Sequence, residues 1–307
     1  MKRIIVGICA LSLSGCVTVG SKPPSKQTEG EVESGYTYIP IDPFAVDTVE
    51  SDSCKEHGFK PKPEDLLASL PDNAVRMLVE KIDTSGSVTY GTSKLGAKGE
   101  SYIITVDFIN ADTINVPVWV SRTVRKADGD EINIPILAQL DDKLKILPNS
   151  ERFQVHRIDR ESNEKEPTGD FEEFNIPVYV GIGLRVSANV NVVGANANIS
   201  GIGIIGAEAS SENLTGSLVV QTLGVNGKSI SAALPIHSEL NRTTAQNAIV
   251  SVGSIKALLY ENETVVYPRV VGLYLPFPGG KPLVNALISE LSRKRVEWPR
   301  PCVVKGG

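Results

Sequence analysis

Between Phe174 and Val192 an apolar side chain stands at every second position: Phe174, Ile176, Val178, Val180, Ile182, Leu184, Val186, Ala188, Val190 and Val192. The positions between them hold Asn175, Pro177, Tyr179, Gly181, Gly183, Arg185, Ser187, Asn189 and Asn191. A helix turns about 100° per residue and would scatter these two sets around its surface, whereas a strand sorts them onto opposite faces. The pattern predicts one long strand. At about 3.3 Å per residue it would run roughly 60 Å unbroken, so a bend is expected near Pro177 or the glycines.

The same period recurs elsewhere. Tyr102, Ile104, Val106 and Phe108 alternate, then Ile114, Val116, Val118 and Val120 alternate after Asn110-Ala111-Asp112. This predicts a hairpin, with Pro117 pointing to an edge strand because proline lacks the N–H a central ladder uses. A second turn is expected at Asp128-Gly129-Asp130. Leu214, Gly216, Leu218 and Val220 begin another strand, which Asn226-Gly227 would return through Ile230. Residues 265–275 read as a strand. Helical spacing is rarer. Asp65-Leu66-Leu67 and Asn73 to Ile82 suit short helices, with Pro71 at a helix start. Ala245, Ala248, Ile249, Val252, Ile255 and Leu259 fit one helix face after a cap at Asn241 or Thr243. Leu283, Leu287, Ile288 and Leu291 fit a final helix. The expected fold class is therefore α+β and β-rich: an antiparallel sheet or sandwich with long hairpins and two C-terminal helices covering part of it.

The first sixteen residues have a different character. Met1-Lys2-Arg3 is followed by an apolar run from Ile4 to Leu13, too short to span a bilayer and suited to a secretory signal. Leu13-Ser14-Gly15-Cys16 resembles the bacterial lipobox residue by residue. That resemblance implies cleavage between Gly15 and Cys16 and a diacylglycerol and an N-acyl chain on Cys16. No other cofactor is expected. Val17 follows the cysteine where Asp favours inner-membrane retention in enteric-type bacteria, which points to the outer membrane with the domain facing the periplasm. Residues 17–35 are polar, rich in Gly, Ser and Pro, and aperiodic, and read as a tether of about 25 Å typical reach. The expected organisation is a signal peptide over 1–15, a lipidated disordered tether over 16–35 and a β-rich globular domain over 36–307.

Loss of residues 1–15 removes Lys2 and Arg3, so 31 basic residues become 29 against 36 acidic ones, a net charge near −7 in place of −5. This balance points away from nucleic acid, whose phosphates need a basic face. Of four cysteines, Cys9 leaves with the signal and Cys16 is acylated. Cys54 and Cys302 remain and form a candidate disulfide in an oxidising compartment, with two free buried thiols as the alternative.

Motifs for chemistry are weak. His57, His156 and His237 lack metal-ligand spacing. Gly201-Ile202-Gly203-Ile204-Ile205-Gly206 spells a dinucleotide fingerprint, but strand-like sequence lies on both sides where a helix should follow. Asp128-Gly129-Asp130-Glu131 lacks the spaced oxygens of a calcium loop. No serine or cysteine sits in a recognisable nucleophile elbow. Arg293-Lys294-Arg295 closes the last helix and fits dipole compensation.

Two functions fit these features, neither of them enzymatic. One is a lipid-anchored binding or structural component of the cell envelope, with an envelope protein as partner. The other is a subunit of an oligomeric pore, because residues 174–223 alternate aliphatics with Gly, Ala, Ser and Asn as membrane barrels do. In its lipobox and hairpin pattern the chain resembles the curli-secretion channel, whose protomers donate hairpins to a shared barrel. That resemblance implies Val178, Val180, Ile182 and Leu184 facing lipid, and Gly181, Gly183, Arg185 and Ser187 facing a lumen.

Overall fold

The computed structural model describes residues 37–50, 70, 72–82, 88–90, 98–138, 145–147, 150–159, 167–194, 214–233, 238–259, 263–275 and 280–300. Two very long strands form its spine. β5 (Ser101–Arg125) and β8 (Glu172–Val192) pair antiparallel from Ser101↔Asn191 to Val120↔Glu172. Each changes its second partner midway. On the outer edge of β8, β13 (Arg269–Leu275) pairs with Val178 to Gly181, and β9 (Leu214–Leu223) takes over from Gly183 to Val192. On the outer edge of β5, β3 (Asp72–Ile82) pairs with Ser101 to Ala111, and β7 (Arg152–Arg157) with Val118 to Thr123. β1 (Thr37–Ala45) pairs with β13, and β4 (Val88–Tyr90) pairs with β3. The ten-stranded sheet thus runs β1-β13-β8-β5-β3-β4 along its main path. It curls far enough to bring β1 against β3.

The α+β, β-rich expectation holds. Helices α2 (Arg242–Leu258) and α3 (Gly280–Arg293) follow the long strands, α2 lying on β9 and α3 on β7, β4 and β1. Asn241 caps α2 through a reciprocal pair of bonds: Thr244 N donates to Asn241 Oδ1 at 3.0 Å, and Asn241 N donates to Thr244 Oγ1 at 3.1 Å. Ala245 and Ala248 face the core as expected, while Ile249 points outward and is 42 % exposed. The Asp128-Gly129-Asp130 turn links β5 to β6 (Glu131–Asn133), with Gly129 at φ 97°.

Five local expectations are corrected. Asn110-Ala111-Asp112 is no turn, because β5 passes straight through it. Both apolar runs keep the same even-numbered phase, and β8 offers a continuous ladder to bind them. Pro117 lies inside this central strand, at the point where the β5·β7 ladder ends: Ile158 N donates to Pro117 O, so the missing N–H falls at the gap between β3 and β7. Asn73 to Ile82 forms strand β3 rather than a helix. Its apolar spacing at 75, 78, 79 and 82 is helical, yet eleven ladder positions on β5 hold the segment as a strand. Asn226-Gly227 closes no hairpin, since β10 (Val225–Asn226) pairs with β12 (Val265–Val266) and helix α1 (Lys228–Ala233) begins directly after Gly227, burying Ile230. The 265–275 strand is split between β12 and β13.

The even positions of β8 from Ile176 to Val192 are all buried, each at most 2 % exposed. They join Ile104, Val106, Val116, Val118 and Val120 of β5, Ala245 and Ala248 of α2, and Leu283, Leu287 and Leu291 of α3 in one apolar cluster. This is the main core. A second, smaller cluster sits on the opposite face, inside the curl: Tyr38, Ile109, Ala111, Tyr179, Leu223 and Val271. At both ends of the domain the chain is tied in: β2 (Asp47–Glu50) pairs parallel with β14 (Glu297–Arg300).

Candidate functional site

Cys16, Gly15, Cys54 and Cys302 lie outside the described residues, as do the 201–206 glycine motif and Asp65-Leu66-Leu67. The structure instead concentrates polar chemistry in two places.

The first is the inside of the curl. Asp107 of β5 stands opposite Arg185 of β8 on one side and Arg76 of β3 on the other. Arg185 grips Asp107 with two bonds, Nε to Oδ1 and Nη2 to Oδ2, both 2.7 Å. Its remaining reach goes to backbone: Nη1 donates to Ile41 O at 2.6 Å and Nη2 to Val271 O at 2.8 Å. Those carbonyls share one property. Ile41 lies in the irregularity of β1 between Pro40 and Phe44, and Val271 lies in that of β13 between Val270 and Gly272. A bulge frees a carbonyl from its ladder, and a buried free carbonyl is costly. Arg185 satisfies both, and Asp107 neutralises the charge this brings inside. Tyr38 of β1 completes the group by donating its hydroxyl to Asp107 Oδ2. Gly272 makes room for it, because a Cβ there would collide with the Tyr38 ring.

Burial works against the Arg185 charge, but the bonds and charge of Asp107 outweigh it and hold the guanidinium more firmly protonated than usual. Burial, reinforced by the Asp107 charge, pushes the Tyr38 phenol far above its ordinary range. Arg76 brings a second cation. Its guanidinium lies 4.9 Å from the Tyr179 ring centre and 5.7 Å from that of Tyr274, and Nη1 donates to Tyr274 Oη at 2.8 Å. The bonds of the Tyr38–Asp107–Arg185 set thereby fasten β1 and β13 to the β5–β8 ribbon.

The second place is an open cleft of about 340 Å³ beside the C-terminal end of α3. Trp119 and His156, paired across β5 and β7, line it together with Arg157, Asp159, Arg293 and Lys294. Glu290, buried beneath, ties it together: it accepts Arg157 N at 2.9 Å and binds Arg293 through both oxygens. Arg157 donates onward to Lys294 O and Arg295 O, just past the end of α3. The cleft offers hydrogen-bond donors and one large aromatic side chain. Among the described residues no group of His, Cys, Asp and Glu is arranged to hold a metal.

Sequence reasoning missed Asp107 and Arg185 as a pair. The signal was present in each strand singly: Asp107 is the one charged residue from Tyr102 to Asn110, and Arg185 the one charged residue from Val178 to Val192. A lone charge in the middle of a core strand requires a partner. Comparison with protein-family models, curated proteins and solved structures gives no match to this chain.

Proposed function

We propose that this chain is a lipoprotein anchored through Cys16 to the outer membrane, and that its β-rich body serves as a binding or structural component of the cell envelope, facing the periplasm. The observation that carries this reading is Leu13-Ser14-Gly15-Cys16 behind a charged start and a short apolar run. Acyl chains on one residue give firm attachment without a spanning segment. Among the described residues no helix is long and apolar enough to cross a membrane. The partner is an envelope protein, and the Trp119–Arg157 cleft is the concave surface available to it.

The pore reading competes for the same anchor. It would turn Val178, Val180, Ile182 and Leu184 toward lipid, yet in this fold those side chains are packed into the protomer's own core. That packing favours the binding reading. The test uses the full lipidated chain, metabolically labelled with palmitate and extracted in mild detergent. Label lost on Cys16→Ser, with compact monomers or dimers in negative-stain electron micrographs, is the expected result. Rings with a central hole would replace the binding reading by the pore, and absence of label would remove the anchor.

A further inference from the structure

We infer that the cleft beside α3 binds a carboxylate-bearing segment of the envelope partner: an acidic peptide stretch with an apolar side chain next to its acid. This deepens the binding reading above and rests on it for where the partner is met. The chemistry of the cleft stands on its own residues. The whole chain carries 31 basic against 36 acidic residues, yet the cleft is lined by Arg157, Arg293 and Lys294, with Asp159 as its one carboxylate. Asp159 already has a partner within the chain. A cleft whose sign opposes the net charge of its chain favours anions, because a concave low-dielectric surface focuses the field of its charges.

Two donors of the lining lack acceptors. Trp298, the chain's other tryptophan, donates its Nε1 to Asp112 at 3.0 Å, whereas among the described residues nothing accepts from Trp119 Nε1. Arg293 uses Nε and Nη2 on Glu290, and among the described residues nothing accepts from its Nη1. An N–H is completed only by an acceptor, and beside a guanidinium a charged oxygen is the one bound most strongly. Both donors are also in position beforehand. Glu290 is buried, grips Arg293 through both oxygens and accepts Arg157 N, so it holds the guanidinium between α3 and β7. The Arg293 side chain nevertheless stays 61 % exposed, within reach of a ligand. Trp119 is set by its ladder position opposite His156. Groups already in place lose little freedom on binding.

The remaining lining points to a peptide rather than a bare anion. Ile158, Pro167 and the Trp119 ring give the cleft an apolar side. An inorganic anion gains nothing from these groups, whereas an aliphatic side chain next to an acid packs against them while the acid meets the donors. A volume of about 340 Å³ has room for a short stretch of chain, not for a folded surface.

The test takes the full lipidated chain in neutral detergent with isotope-labelled tryptophan, so that the two indole N–H resonances report the cleft and the core separately. The probe is a fluorescent synthetic hexapeptide alternating glutamate and leucine, capped at both ends, beside the same peptide with glutamine for glutamate. The glutamate peptide should move the Trp119 resonance and leave that of Trp298 in place. By fluorescence anisotropy, Arg293→Gln should weaken its binding roughly tenfold or more. Trp119→Phe, which keeps a ring and leaves the Glu290 bonds intact, should weaken it several-fold. Equal binding of the glutamine peptide, an unmoved Trp119 resonance, or undiminished affinity in both variants would overturn the inference. So would a Trp119 shift produced by short-chain phosphatidylglycerol in the micelles and not by the peptide, which would make the ligand a lipid headgroup. Peptide binding by a chain without palmitate label would leave the carboxylate site standing while the envelope reading fails, and label without peptide binding would do the reverse.

Discussion

The two faces of the β5–β8 ribbon are built from the same strands and held in opposite ways. The even positions of β8 present only aliphatic side chains, and their stabilisation grows with the area they bury, at about 25 cal/mol per Å². No partner on that face is unique. The odd positions present Tyr179, Gly181, Gly183 and Arg185, and there Arg185 has specific partners: Asp107, Ile41 O and Val271 O. Losing area on the first face costs in proportion. Losing one group on the second leaves several others buried without their bonds. The first face gives this fold its bulk stability, and the second fixes where β1 and β13 must sit.

The largest effect should come from putting a charge on the face that has no place for one. Ile182 is fully buried among aliphatics, so Ile182→Asp should cost at least about 4 kcal/mol and abolish the cooperative thermal transition seen by circular dichroism. A variant that melts like the wild type but no longer enters membranes would mean that this face meets lipid.

Next in size are the fastening residues. Arg185→Met strands Asp107 and two carbonyls, and Asp107→Leu strands Arg185, so each should lose about 3–5 kcal/mol in urea unfolding. Because both remove one shared interaction, the double variant should lose less than the sum of the two by about 2 kcal/mol or more. Strict additivity would show that the pair does not act as a unit.

Tyr38→Phe is milder, removing one hydroxyl bond for about 1–2 kcal/mol near neutral pH. Its pH dependence is more telling. The fold holds the Tyr38 phenol protonated well above its ordinary range, whereas in the unfolded chain it ionises near pH 10. Above about pH 10 the unfolded state gives up a proton that the folded state keeps, so this group's share of the stability is intact below that pH and is lost as pH rises. The gap between wild type and Tyr38→Phe should therefore narrow between pH 9 and 11 in urea titrations. A constant gap would mean the phenol is not held this way.

The contrast also explains how much was legible beforehand. The apolar face of β8 announced itself, because one strand repeating one period for ten apolar positions needs no knowledge of its partners. The same holds for the Asn241 cap of α2, for Ala245 and Ala248 on its face, and for Leu283, Leu287 and Leu291 of α3. The fastening face was not legible as such, since Arg185 between Gly183 and Ser187 reads as a polar outward position. Only the curl of the sheet, brought about by strands far apart in sequence, turns it inward. β5 was divided at Asn110-Ala111-Asp112 because those residues favour turns locally, and nothing in the local sequence reveals that β8 will bind on both sides of them. β3 was misread for the same reason: its helix-compatible spacing is decided by a ladder, not by the segment.

The smallest effect separates face from burial. Asn191 lies on the same face of β8 as Arg185, six residues on, but near the exposed end, where Ser101 Oγ donates to its Oδ1 at 2.7 Å. Water replaces that bond readily, so Asn191→Ala should shift urea stability by no more than about 0.5 kcal/mol. If it costs as much as the Asp107 or Arg185 substitutions, the polar face is fastened along its whole length and the curl is not what makes Arg185 special. If the loss stays small, then the cost of a polar residue on this ribbon follows from enclosure, and the demand for partners is confined to the stretch that β1, β13 and β3 enclose.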